Sequence, residues 1–273
     1  MAYELASSLN ENVIYDGRGA VKAELEEFPS MIPDKNIVAS IIQAEKNAVE
    51  TAIFKIAVSE KLVTYWRDTY SYKGDNHIII PCTLSSDRSN DSNHGDTILH
   101  KYGWKSSDII LVYSGSLAGW QSFDKVNGLL GNKLKEENIK VLFLSQECQE
   151  INNLQEKFPT QVKREWLDHA QVADYLAIGD YGILIRDENK TNLVASPVKF
   201  AEYLSAGLKV LISPNLGDFS QLVVQDELGI VIEHEIPLIQ KVEDSERQRI
   251  KKYSIDNFSK NALKGKFETL ANF

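Results

Sequence analysis

Cysteine is almost missing from this chain of 273 residues, with Cys82 and Cys148 as the only two. Two thiols cannot build a disulfide scaffold, and neither stands in a metal-ligand spacing. The five histidines (His77, His94, His100, His169 and His234) form no local metal motif either. No apolar run approaches the roughly 20 residues that span a bilayer, and no charged-then-apolar signal segment opens the chain. A cytoplasmic protein is therefore the default expectation. Positive charge is also in deficit, 30 Lys and Arg against 39 Asp and Glu for a net charge of −9. That balance argues against nucleic acid as the main partner, and any anionic ligand must be held by local donors against the overall field. A Gly-x-Gly-x-x-Gly opening is absent, which weakens the case for a dinucleotide-binding oxidoreductase. No internal repeat is visible.

What the chain does contain, from about Asp108 onward, is a strand–helix alternation. Residues 109–114 form an apolar run suited to a strand buried on both faces, followed by a helix over 125–134 and a strand over 139–145. Helix 146–157, strand 162–166, helix 171–178 and strand 181–186 continue the rhythm, and strands over 210–213 and 229–232 close it. This pattern predicts an α/β fold, a Rossmann-like doubly wound parallel sheet whose ligands lie beyond the carboxyl ends of its strands. Upstream, residues 13–15, 53–58 and 78–80 are strand candidates, with helices over 38–49 and 60–70. The polar stretch 85–96 reads as a linker. The last helix is expected over 254–272.

The most informative stretch is Ala195-Ser-Pro-Val-Lys-Phe-Ala-Glu-Tyr-Leu-Ser-Ala-Gly207, followed at once by an apolar strand. Ser196 suits an N-cap, Pro197 the first helical position and Gly207 a left-handed stop. Such a helix start presents backbone N–H groups and the positive end of the dipole, a place for an anion. Lys199 in the first turn has the wrong sign for that end of a helix unless an anion meets it. Glu202, one turn on, could accept hydrogen bonds from ribose hydroxyls, while the alternative is a plain surface ion pair between the two.

The run from Ser196 to Ser213 closely resembles the donor-binding motif of family-4 glycosyltransferases, retaining enzymes of the GT-B fold. Asn215-Leu-Gly-Asp218 resembles the usual continuation. The resemblance implies that the helix start, with Ser196, Pro197, Val198 and Lys199, holds the donor diphosphate, and that Glu202 holds the ribose. Tyr113-Ser-Gly-Ser-Leu-Ala-Gly-Trp120 is similar to the loop that lines the diphosphate, placing Gly115 and Ser116 there. The resemblance implies no metal and no separate cofactor, the nucleotide sugar being a substrate. It further implies a leaving diphosphate that itself helps to deprotonate the acceptor hydroxyl.

Two departures from the family pattern stand out. Many members carry an arginine and a lysine where this chain has Ser116 and Gln121. Arg186, at the end of the 181–186 strand, could replace one of these cations, so Lys199 and Arg186 are the expected catalytic pair. The family's earlier glutamate, eight positions before Glu202, is Val194 here. Asn192 and the backbone of 194–196 are the candidates to take over sugar contacts. Trp120 would either shape the donor pocket or pack at a seam. His169 reads as a surface or capping residue, and Asp180 as turn chemistry.

The resemblance also sets the expected organisation: a partial N-terminal, acceptor-side domain over 1–82, a donor-binding domain over 83–253, and a C-terminal helix over 254–273 packing back on the first part. Tyr15-Asp-Gly-Arg-Gly19 resembles a segment that normally lies midway through the first domain, which puts Asp16 and Arg18 near the acceptor. Their other reading is a local Asp–Arg pair in a turn. Three strand candidates fall short of the six or so of a Rossmann-like half, so roughly a hundred residues of that domain are expected to be missing. The expected activity is transfer of a sugar to a saccharide or lipid-linked acceptor in surface polysaccharide assembly, at the cytoplasmic side and with peripheral seating at the membrane. The rival is a nucleotide-sugar-binding subunit completed by a homo-oligomer or a partner chain. A nucleotide-sugar epimerase is a third class.

Overall fold

The computed structural model describes residues 12–84, 95–116 and 122–270. The first part is a three-stranded parallel sheet in the order β1-β2-β3. Its strands are β1 (Ile14–Gly17), β2 (Phe54–Ala57) and β3 (His77–Ile79), linked by α1 (Val21–Glu27), α2 (Lys35–Thr51) and α3 (Glu60–Tyr70). Each helix start has a carboxylate or hydroxyl to receive its amides. Asp34 caps α2, Ser59 caps α3, and the buried Glu45 accepts from the Val21 and Lys22 amides of α1. Trp66 is the centre of the small core here, packed with Ala57, Leu62 and Val63.

The second part is a six-stranded, wholly parallel sheet. Its elements are α4 (Gly95–Tyr102), β4 (Ile109–Ser114), α5 (Phe123–Lys133), β5 (Ile139–Leu144), α6 (Gln149–Lys157), β6 (Val162–Glu165), α7 (His169–Ala177), β7 (Tyr181–Leu184), α8 (Lys190–Leu193), α9 (Val198–Ser205), β8 (Lys209–Ile212), α10 (Phe219–Gln225) and β9 (Gly229–Val231). The strand order β6-β5-β4-β7-β8-β9 is that of a Rossmann sheet. Apolar residues of β4 alternate between the two faces: Ile110 and Val112 pack toward α9, Ile109, Leu111 and Tyr113 toward α5 and α6. Cores on both sides explain why β4 reads as an unbroken apolar run.

Strand order reverses between β4 and β7, and a single side chain joins them there. The buried Tyr203 hydroxyl accepts from the Ser114 amide at 2.9 Å and donates to the Ile183 carbonyl at 3.2 Å. Gly182 makes room for the ring, since a Cβ there would collide with it. At the opposite end of the sheet the wholly buried Asp180, expected as turn chemistry, is an anchor instead. It accepts from the Ile110 and Val242 amides and pairs with Lys241 and with Arg247 at 2.6 Å.

The carboxyl-terminal region also departs from expectation. In place of one helix over 254–272, α11 (Asp244–Phe258) ends at Phe258 and α12 (Lys264–Leu270) follows a turn. The break has a packing reason. Phe258 is buried against Phe200 and Phe219, and its carbonyl accepts from the Leu84 amide, so the chain must turn after it. Lys266 of α12 then reaches the Ile79 carbonyl at the end of β3.

Candidate functional site

Pairing of β4 with β7 stops at Val112 and Gly182, so their carboxyl ends diverge, and α9 follows β7 on that side. The helix starts one residue later than expected: Pro197 is the N-cap and Val198 the first helical residue. Ser196 does not cap it. Its buried hydroxyl accepts instead from the Cys82 amide at 3.0 Å, tying the motif to the crossover from the first sheet. The Phe200 amide bonds back to the Pro197 carbonyl at 3.0 Å, and Val198 at the helix start is exposed. Gly207 ends the helix with φ +82°, and the Gly207 and Leu208 amides bond back to the Leu204 and Tyr203 carbonyls, the full Schellman pattern.

Lys199 is half-buried at the end of β4. Its ammonium stands 5.4 Å from the centroid of the Tyr113 ring and fills the space beside Gly115 that a Cβ would need. Gly115 adopts φ +153°, a conformation side chains disfavour. Burial, then the nearby Arg186 charge, lower the Lys199 pKa to about 7, with Glu202 acting the other way. Burial also lowers the pKa of Arg186, which is 7% exposed. Its backbone is clamped by Ser213, whose hydroxyl accepts from the Arg186 amide at 2.5 Å and donates to the Arg186 carbonyl at 2.8 Å. Arg186 Nη1 donates to Asn192 Oδ1 at 3.2 Å, and its buried Nε has no partner among the described residues. The half-buried Lys199 and the buried Arg186 thus lie near one another, with the Arg186 charge acting on the lysine. Two like charges so placed suit an anionic ligand.

Glu202 is half-buried, and burial raises its pKa against the opposing pull of His169 and then Lys199. His169, whose charge acts on Glu202, is the first residue of α7 and exposed. Asn192 is buried and fixed at three points: its backbone amide donates to Asn189 Oδ1, its Nδ2 donates to the Asp187 carbonyl, and its carbonyl accepts from the Gly217 amide. Ser116 is exposed beside Gly115, its carbonyl held by the Tyr113 hydroxyl at 3.1 Å. Trp120 and Gln121 lie outside the described residues.

Other expected residues are placed differently. Val194 packs into the first core, and its carbonyl is occupied by the Ser59 hydroxyl at 2.7 Å. Asp218 caps α3, accepting from the Glu60 and Lys61 amides. Asp16 and Arg18 do form a local pair, exposed, with Arg18 Nη2 at 2.7 Å from Asp16 Oδ2. The Arg18 charge also acts on the Cys82 thiol, so this pair lies close to the start of the donor-like motif. Tyr203, Ser213 and His169 were not singled out as site residues. The first two matter through contacts that no local spacing reveals.

Two parallel Rossmann-like sheets with this topology define the fold of GT-B glycosyltransferases. Solved structures agree. Sucrose-phosphate synthase from Thermosynechococcus elongatus superposes with a TM-score of 0.72 at 12% identity, over 99% of this chain and 70% of that one. WaaG, a glycosyltransferase involved in lipopolysaccharide biosynthesis, gives 0.59 at 15% identity over 96% and 76%. Anabaena HepE, solved in complex with UDP and glucose, gives 0.66 at 11% identity over 100% and 75%. No protein-family model matches the chain, and no curated protein is similar to it in sequence. Among the described residues no helix is long and apolar enough to cross a membrane.

Proposed function

We propose that this chain is a nucleotide-sugar-dependent glycosyltransferase of the retaining, family-4 type, acting on a saccharide or lipid-linked acceptor. One observation carries the reading: the half-buried Lys199 sets its ammonium beside Gly115 and the Tyr113 ring at the start of α9, and the charge of the buried Arg186 acts on it, so an anion there is met by two cations. A diphosphate supplies that anion, and Glu202 lies one helix turn away for the ribose. Complexes of a GT-B neighbour with UDP and with UDP-glucose support the ligand class.

In this reading, the bond between the anomeric carbon and the phosphate oxygen breaks as charge grows on the departing diphosphate. Lys199, Arg186 and the α9 amides stabilise that charge, which strengthens toward the transition state. The acceptor hydroxyl forms the new bond on the same face of the sugar and gives its proton to the leaving phosphate. No protein nucleophile is required. Asp16 and Arg18 stand on the acceptor side.

Val194 favours a second reading, a donor-binding subunit that needs a partner chain. Its side chain is buried in the first core, so this position brings no carboxylate to the reacting centre. Calorimetry with uridine, adenosine and guanosine diphosphate sugars tests the shared claim, and a transfer assay separates the two. Turnover by the chain alone establishes the transferase. Binding without turnover, restored by a partner, establishes the subunit. Absence of binding by every nucleotide sugar removes both.

A further inference from the structure

Glu27 ends α1, beside the three-stranded sheet, yet its carboxylate is taken up by the other sheet. Oε1 accepts from the Lys190 amide at 2.7 Å, and Oε2 accepts from the Thr191 amide at 3.0 Å and the Thr191 hydroxyl at 2.6 Å. With Asn189 receiving the Asn192 amide at 2.8 Å, the first three amides of α8 are all satisfied. A helix of four residues has no cooperative stability of its own, so its shape depends on those acceptors. Directly after Thr191 comes Asn192, whose Oδ1 receives Arg186 Nη1 at 3.2 Å. Arg186 has no carboxylate partner among the described residues to fix its guanidinium otherwise.

We propose that Glu27 is a positioning residue for the anion site, acting across the seam between the sheets through α8 and Asn192 to hold Arg186. The proposal rests on the nucleotide-sugar reading and deepens it: a residue of the acceptor-side sheet sets the geometry of a donor-side cation. Donor affinity then depends on the two sheets being docked, although α1 touches no donor.

Inorganic pyrophosphate, which reports on the anion site without regard to the base, is titrated calorimetrically into the full chain and its variants. Glu27→Gln lowers pyrophosphate affinity about tenfold, the scale seen when a side chain that orients a ligand-holding residue is lost. Asn192→Ala lowers it as well, and Glu27→Gln in the Asn192→Ala background adds nothing further, because the two act in series. Asp34→Ala is the matched control. It removes a carboxylate cap of the same kind from α2, so it lowers the melting temperature without changing pyrophosphate affinity. Should Glu27→Gln fail to fold, Thr191→Val removes one donor to the same carboxylate and yields a several-fold loss that Asn192→Ala again abolishes. Additive losses in the double variant, or unchanged affinity in Glu27→Gln, overturn the proposal while leaving the donor reading intact. If the unsubstituted chain binds neither pyrophosphate nor any nucleotide sugar, the donor reading falls and takes this one with it.

Discussion

Lys199 and Gly115 are fitted to one another: the ammonium of the helix residue occupies the space that any side chain at residue 115 would claim. Gly115→Ala must therefore displace the lysine and also force a methyl-bearing residue to φ +153°. Backbone strain of this kind costs about 1–3 kcal/mol. The expected outcome is a lower melting temperature together with weaker nucleotide-sugar binding. A variant with full affinity would show that Lys199 has no fixed role.

Lys199→Ala removes a charge aimed at phosphate rather than at the nucleoside. Loss of a charged hydrogen bond is worth roughly 1.5–3 kcal/mol, about 10- to 100-fold in affinity for a nucleoside diphosphate. Nucleoside binding should hardly change. Equal losses for both ligands, measured by calorimetry, would exclude a phosphate contact.

Glu202→Ala separates the ribose assignment from the phosphate one. Nucleoside and nucleoside diphosphate affinities should fall together, with pyrophosphate affinity retained. The half-buried carboxylate already sits where burial disfavours its charge, so thermal stability should not fall. Unchanged nucleoside affinity would dismiss the ribose contact.

The lowered Lys199 pKa of about 7 gives a pH signature with a defined sign. A lysine whose folded pKa lies below its unfolded value opposes folding while charged, and this opposition fades as pH rises from about 7 toward 10.5. Binding runs the other way. An anion raises the lysine pKa again, so nucleotide-sugar affinity is greatest below pH 7, declines above it, and is accompanied by proton uptake near pH 8. Nucleotide-sugar phosphates do not titrate in this range, so calorimetry in buffers of different ionisation enthalpy isolates the lysine. Zero proton uptake would contradict the placement of the anion.

Asp180→Ala tests the other end of the sheet. It strands Arg247 and Lys241 and leaves two backbone amides without their acceptor. Breaking a buried charge network of this kind costs about 3–5 kcal/mol. Chemical denaturation should show that loss, and a change below about 1 kcal/mol would mean that solvent enters the site.

Local pattern located β4 at 109–114 and the α3 helix at 60–70, because an unbroken apolar run and an amphipathic repeat are both legible over a few residues. Pairings distant in sequence were not legible. Nothing near Asp180 in the sequence announces Arg247, and nothing near Ser196 announces Cys82, so local spacing assigns one to a turn and the other to a cap. The start of α9 shifted by one residue for the same reason: a long-range acceptor role outcompeted the local one. Lys199, Arg186, Gly115 and Asn192 could be nominated from motif and strand ends. Their mutual contacts, and the crossing of Tyr203 between β4 and β7, depend on the folded sheet order.

Asp218 of the second sheet region closes the start of α3, while Glu27 of the first closes the start of α8. Each half thus keeps a stopper for the other's coil. Parting the two at the crossover would therefore leave the Glu60, Lys61, Lys190 and Thr191 amides to water.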